Sequence, residues 1–283
     1  MAPDASSTDL PILIVGDVHG DLARLFEALK PYPAERWQTI FLGDLVDYGP
    51  FGVGALRFAR DRPNSTVLLG NHEVAMLWAL RDPLRVGFWV SIGGQDHDLN
   101  ELARDPSLEE WLRLRPAMLR LPDATLVQHC GNDAYATLLE SREADPIASI
   151  NSRVQHLLHT EGEAALWDMM SGRNIFATSR ERLDAWLEVT ETLRVVFGHT
   201  PHRGPRPDVR QDGRALNFDG GFSSYLYFSA INYTSIGDSN IRPEGPMRSI
   251  VGAEGLAGLM MIAWSASFTY LKMEQIWKMR VEK

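Results

Sequence analysis

Five short apolar runs in this chain each lead into a side chain that carries oxygen or nitrogen donors. Ile12 to Val15 runs into Gly16-Asp17-Val18-His19-Gly20, and Thr39 to Leu42 into Gly43-Asp44-Leu45-Val46-Asp47. Thr66 to Leu69 runs into Gly70-Asn71-His72-Glu73, Ala124 to Gln128 into His129, and Leu193 to Phe197 into Gly198-His199-Thr200. Runs of this kind read as buried strands. In open α/β sheets the carboxyl ends of parallel strands meet in one crevice, so the donors are expected to converge. Carboxylate, imidazole and amide oxygen form a mixed N/O set suited to Mn, Fe, Zn or Co. The glycines let the backbone turn sharply and come close to bound ions. Taken singly, an Asp after a strand is ordinarily a turn residue or helix cap, and one His is ordinarily a surface or hydrogen-bonded core residue. The recurrence at five strand ends points to a shared metal site.

The elements that must position these donors follow from the pattern. After the first run, Asp21 is placed to cap a helix with Leu22, Leu25, Phe26 and Leu29 on one face. Val53 to Arg60 and Glu73 to Arg81 read as further helices, so the first 75 residues alternate strand and helix, as a parallel sheet with helices on both sides requires. The stretch from about 83 to 190 is richer in helical pattern. After Gly204 the chain turns β-rich, with Ala215 to Phe218, Leu259 to Ala263 and Thr269 to Lys272 as candidate strands. The expected architecture is an α/β mixed-sheet sandwich flanked by helices, in a single domain over 1–283 with a cap-like helical middle.

Composition narrows the class. The chain has 283 residues, 45% apolar and 23% charged, ordinary values for a globular protein. Its formal charge of -9, without Lys/Arg runs, argues against a nucleic-acid-binding surface. One cysteine, Cys130, excludes an internal disulfide framework and fits a cytoplasmic setting. The polar opening MAPDASSTDLP does not read as a signal peptide. Gly255 to Tyr270 is the one stretch that invites a membrane reading. Broken by glycines and serines, it reads better as two core strands, so no membrane partner is expected.

The blocks GDVHG, GDLVDYGP, GNHE, HCG and FGHT, between Pro11 and Asp219, resemble the calcineurin-like metallophosphoesterases, closest to the bacterial phosphoprotein phosphatase and diadenosine-tetraphosphate hydrolase branch. The resemblance implies that fold, and two divalent or mixed-valence ions drawn from Mn, Fe, Zn, Co or Ni. Asp17 and His19 would hold the first, Asp44 would bridge both, and Asn71, His129 and His199 would complete the second. His72 would protonate the leaving group, oriented by Asp47. Hydrolysis would proceed by direct attack of a metal-bridging hydroxide, because two cations neutralise the phosphoryl oxygens and lower the pKa of water. Cys130, after His129, reads as a space-filler rather than a nucleophile.

Three features depart from that pattern. Tyr48 stands where protein-phosphatase relatives carry a phosphate-clamping Arg, and offers one neutral hydroxyl in place of a bidentate fork. Arg173 and Arg180 are candidate replacements. His202 falls one residue beyond the position of a second metal-binding His in many relatives, and is a candidate ligand or substrate contact. Asp219 reads as a residue supporting the site. The aromatics Trp78, Phe88, Trp89 and Trp111 read mainly as core. The expected substrate is a phosphomonoester, on a phosphoprotein or small molecule; the alternatives are a dinucleoside polyphosphate or other phosphodiester, or a catalytically silent scaffold.

Overall fold

The computed structural model describes residues 10–140, 143–172, 174–202 and 206–220. Strand β1 (Ile12–Val15), helix α1 (Leu22–Leu29), strand β2 (Gln38–Phe41), helix α2 (Gly52–Asp61), strand β3 (Ser65–Val67) and helix α3 (Asn71–Arg81) follow in order. The three strands pair in parallel as β1-β2-β3. Asp21 caps α1 as expected, its carboxylate accepting the Arg24 N–H at 3.0 Å. Helix α3 begins at Asn71, after Leu68, Leu69 and Gly70 have followed β3, and Asn71 and His72 lie in its buried first turn.

The helical middle consists of α4 (Val86–Ser91), α5 (Asp96–Ala103) and α6 (Pro106–Arg113), then α7 (Pro146–His159), α8 (Glu163–Met170) and α9 (Arg180–Val189). Between them lie β4 (Met118–Arg120) and β5 (Thr125–Gln128), and after them β6 (Arg194–Phe197), β7 (Asp208–Arg210) and β8 (Ala215–Asn217). These five strands form a second sheet, ordered β4-β5-β6-β8-β7. Strands β5, β6 and β8 run parallel, while β4 and β7 pair antiparallel at its ends.

An apolar layer joins Ile40, Leu42 and Leu68 from the first sheet to Val127 and Val196 from the second. The expected sandwich is therefore present, and the expectation of helices on both faces of the first sheet is corrected: one face is covered by the second sheet. A larger cluster, including Val53, Leu56, Met76, Trp89, Leu112 and Trp186, packs the helices around the sheets. Met1–Gly220 forms one compact unit. The expected strands Leu259 to Ala263 and Thr269 to Lys272 lie outside the described residues, as does Gly255 to Tyr270. Among the described residues no helix is long and apolar enough to cross a membrane.

Candidate metal centre

The loops after β1 and β2 are built on each other. The Val18 and His19 N–H groups both donate to the Asp44 carbonyl, at 3.0 and 2.9 Å, and Gly20 N–H donates to Leu45 O at 2.8 Å. His19, Asp44, Asp47, Tyr48 and His199 all have positive φ, between 50° and 70°. Such strain persists only where surrounding structure over-determines it. Gly198 has no room for a side chain, since a Cβ there would fall 2.3 Å from Asp17 Oδ1. That close approach lets the His199 N–H reach both Asp17 oxygens at 3.1 Å.

Asp17, His19, Asp44, Asn71, His129 and His199 are brought together. Asn71 Oδ1 lies 2.8 Å from His129 Nε2 and 2.8 Å from His199 Nδ1. Asp44 Oδ2 is 3.4 Å from His129 Nε2 and 4.0 Å from His72 Nε2, and Asp17 Oδ2 is 4.0 Å from His19 Nε2. Two triads, His19–Asp44–His72 and Asp44–His129–His199, each have donor atoms within 4.8 Å of one another and share Asp44.

The imidazoles are oriented to use one nitrogen each. His129 Nδ1 lies 2.9 Å from the Leu42 carbonyl and His19 Nδ1 lies 3.1 Å from the Val46 carbonyl, which leaves both Nε2 atoms for the cluster. Burial, opposed by Asp44, lowers His19 to a pKa of about 4. Burial and the nearby His129 lower His199 to about 4, so both present lone pairs at neutral pH. Burial also works against charge on His129, but Asp44, Asp17 and Glu73 outweigh it and raise this group to about 10. Burial, Asp219 and Asp44 hold the Asp17 carboxyl well above its usual range. No lysine or arginine among the described residues pairs with Asp17, Asp44 or Asp47. Buried carboxylates with no lysine or arginine partner among the described residues, beside converging imidazoles and an amide oxygen, fit divalent metal ions.

His72 stands at the edge of this cluster. Its Nδ1 is 2.6 Å from Asp47 Oδ2, which leaves Nε2 facing the donors. Burial opposes its charge, but Asp44 and Asp47 raise its pKa to about 9. The half-exposed Tyr48 ring sits 4.9 Å from the His19 ring and 5.4 Å from the His72 ring, and Trp167 of α8 meets His72 edge-on at 6.4 Å. Arg180 is engaged elsewhere, 3.0 Å from Asp212 and 3.9 Å from Asp184. Arg173 lies outside the described residues. The His202 N–H donates to Asp219 O at 3.1 Å, which ties it to the end of β8 by backbone. Asp219 is buried and near enough to raise Asp17. Burial pushes the Cys130 thiol up to about 12, which suits packing rather than nucleophilic work.

Two contributors escape sequence reasoning. Glu73 is fully buried and accepts from four backbone N–H groups, those of Asp44, Leu45, Val46 and Gly70, at 2.7 to 3.3 Å. It clamps the Asp44 loop to α3. Its signal was the Glu at the third helical position after Gly70, a capping-box position. Trp89 donates its indole N–H to Asp47 Oδ1 at 2.9 Å, and nothing in its helical spacing marks that role.

The family model described as "Calcineurin-like phosphoesterase" matches residues 10–220, which include every donor above. The chain belongs to the calcineurin-like phosphoesterases. A second model, described as "Ion channel", matches residues 195–274, including the Gly255 to Tyr270 stretch. The residues shared by both matches, 195–220, include His199 and strand β8 of the second sheet. Among curated relatives is a symmetrical bis(5'-nucleosyl)-tetraphosphatase from Methylococcus capsulatus, 36% identical over 43% of this chain and 43% of its own length. Relatives of the same name come from Pectobacterium atrosepticum (33% over 49% of this chain and 51% of the relative) and Aromatoleum aromaticum (28% over 72% and 70%). The match thus spans about half the length of the first two relatives. In fold, the chain is similar to a cold-active protein-tyrosine phosphatase of a Shewanella species, with TM-score 0.54 and 19% identity over 76% of this chain and 73% of that one. A protein serine/threonine phosphatase from Saccharomyces cerevisiae is similar at TM-score 0.50 and 14% identity, over 76% and 68%.

Proposed function

We propose that the protein is a two-metal phosphoesterase in which Asp17 and His19 would hold one ion, Asn71, His129 and His199 the other, and Asp44 would be shared between them. The carrying observation is the convergence of His129 Nε2 and His199 Nδ1 on Asn71 Oδ1, both at 2.8 Å, with Asp44 Oδ2 alongside at 3.4 Å from His129 Nε2. When bound, the two ions would supply charge neutralisation at phosphorus and a nucleophile derived from water. His72 gives a proton from Nε2 to the departing oxygen, and Asp47 holds its ring through Nδ1. Tyr48 stands beside both His19 and His72 and offers a phenol rather than a charged clamp.

A dinucleoside polyphosphate is the substrate class that the relatives' name supports, and the absence of an arginine at position 48 agrees with a departure from protein-phosphatase chemistry. The His72–Asp47 pair supports a second reading, a phosphomonoester, because an alkoxide leaving group needs protonation more than a phosphate does. Diadenosine tetraphosphate, a phosphoserine peptide and bis-p-nitrophenyl phosphate, each assayed with Mn, separate these readings. Preference for the peptide would overturn the first; no hydrolysis of any of them, with no bound metal, would leave a silent scaffold.

A further inference from the structure

We infer that Trp89, in the helical middle, is a positioning residue for the His72 acid and acts on it through Asp47. The inference rests on the role given to His72 above. Asp47 is completely buried, so each of its oxygens needs a donor. Oδ2 lies 2.6 Å from His72 Nδ1, and Oδ1 accepts the Trp89 indole N–H at 2.9 Å. With both oxygens engaged, the carboxylate plane is fixed, and with it the imidazole edge that must aim Nε2 at a leaving oxygen.

The loop that carries Asp47 cannot hold it alone. Asp47 and Tyr48 both have positive φ, 70° and 59°, a conformation that bulky residues avoid. The corner after α4 braces them from outside. Gly93 O accepts the Tyr48 N–H at 2.7 Å. Gly94 leaves no room for a Cβ, which would fall 2.3 Å from the Trp89 ring, so the turn closes directly over the indole. Trp89 itself is fully buried, and its N–H has no solvent alternative. One segment thus holds two successive residues of the active loop, which gives the helical middle a part in the chemistry.

Trp89→Phe removes the N–H and keeps a ring in place. On phenyl phosphate, a poor leaving group, the variant should lose about tenfold more kcat than on p-nitrophenyl phosphate, with KM little changed. In an Asp47→Ala background the same substitution should add no further loss, because Trp89 acts only through that carboxylate. Equal losses on both substrates, or an additive loss in that background, would overturn the inference. Should Trp89→Phe not fold, β-(3-benzothienyl)alanine at position 89 keeps the indole outline without the N–H. An independent arm follows the Trp89 indole ¹⁵N–H resonance, which should move on Asp47→Asn; an unmoved resonance overturns the pairing. Wild-type protein inert on both esters would remove the phosphomonoester reading, while the resonance still decides the contact.

Discussion

At the scale of single residues, Asp44 carries more of the site than any other donor. Its Oδ2 faces His129 and His72, and its Oδ1 accepts the His72 backbone N–H at 3.0 Å, so the carboxylate is fixed from two sides. Asp44→Asn keeps the shape and removes the charge that two ions would share. Because loss of a residue that merely supports a metal ligand costs 10–100-fold, loss of the bridge should cost at least about a hundredfold in turnover. Metal content should fall from about two equivalents to about one or fewer, measured by elemental analysis after gel filtration. A variant retaining both metals and full rate would remove Asp44 from the bridging role. His72→Asn isolates proton delivery. Its loss on phenyl phosphate should fall in the ~10²–10⁴ range of general acids and should shrink on p-nitrophenyl phosphate, whose oxygen departs unprotonated.

At the scale of elements, the test falls on the joint between β2, β3 and α3. Glu73 receives four backbone N–H groups from two loops, the kind of pairing that decides whether a buried carboxylate stabilises or disrupts. Glu73→Gln would turn an amide NH₂ toward donors that need an acceptor. Two buried N–H groups would lose their partner, a cost of about 2–6 kcal/mol that urea unfolding would register as a lower midpoint. An unchanged midpoint would mean that the clamp is redundant. This joint also shows what sequence can convey. Apolar runs ending in Asp, His and Asn marked the strand ends, and the family resemblance picked the six proposed ligands from them, because strand ends are adjacent in sequence to the donors they deliver. Glu73 and Trp89 act across 28 and 42 positions on backbone and carboxylate, through geometry that no local period encodes. Strands β4 and β7 were missed for another reason: Met118-Leu119-Arg120 and Asp208-Val209-Arg210 are edge strands that carry charge and lack the continuous apolar run that marked the others. Arg180 looked available by position, yet its neighbours Asp184 and Asp212 take its charge.

At the scale of the whole molecule, two family matches meet near the end of the second sheet. All proposed metal ligands, the acid and its two supports lie within Met1–Gly220, a compact unit with its own cores. A chain ended after Gly220 should therefore bind metal and turn over substrate within about twofold of the full chain, as a domain with a complete core can. A fall to background, with the cut chain folded by circular dichroism, would mean that residues 221–283 supply part of the site. The same two preparations test Gly255 to Tyr270, which the ion-channel match includes. Two buried core strands would leave the full chain in the supernatant when it is spun with phospholipid vesicles, as the glycines and serines in that stretch suggest. Pelleting of the full chain but not of the cut chain would assign the stretch to a bilayer. The phosphoesterase site would then sit in a unit joined to a membrane-binding one, and its substrate would be met at a surface.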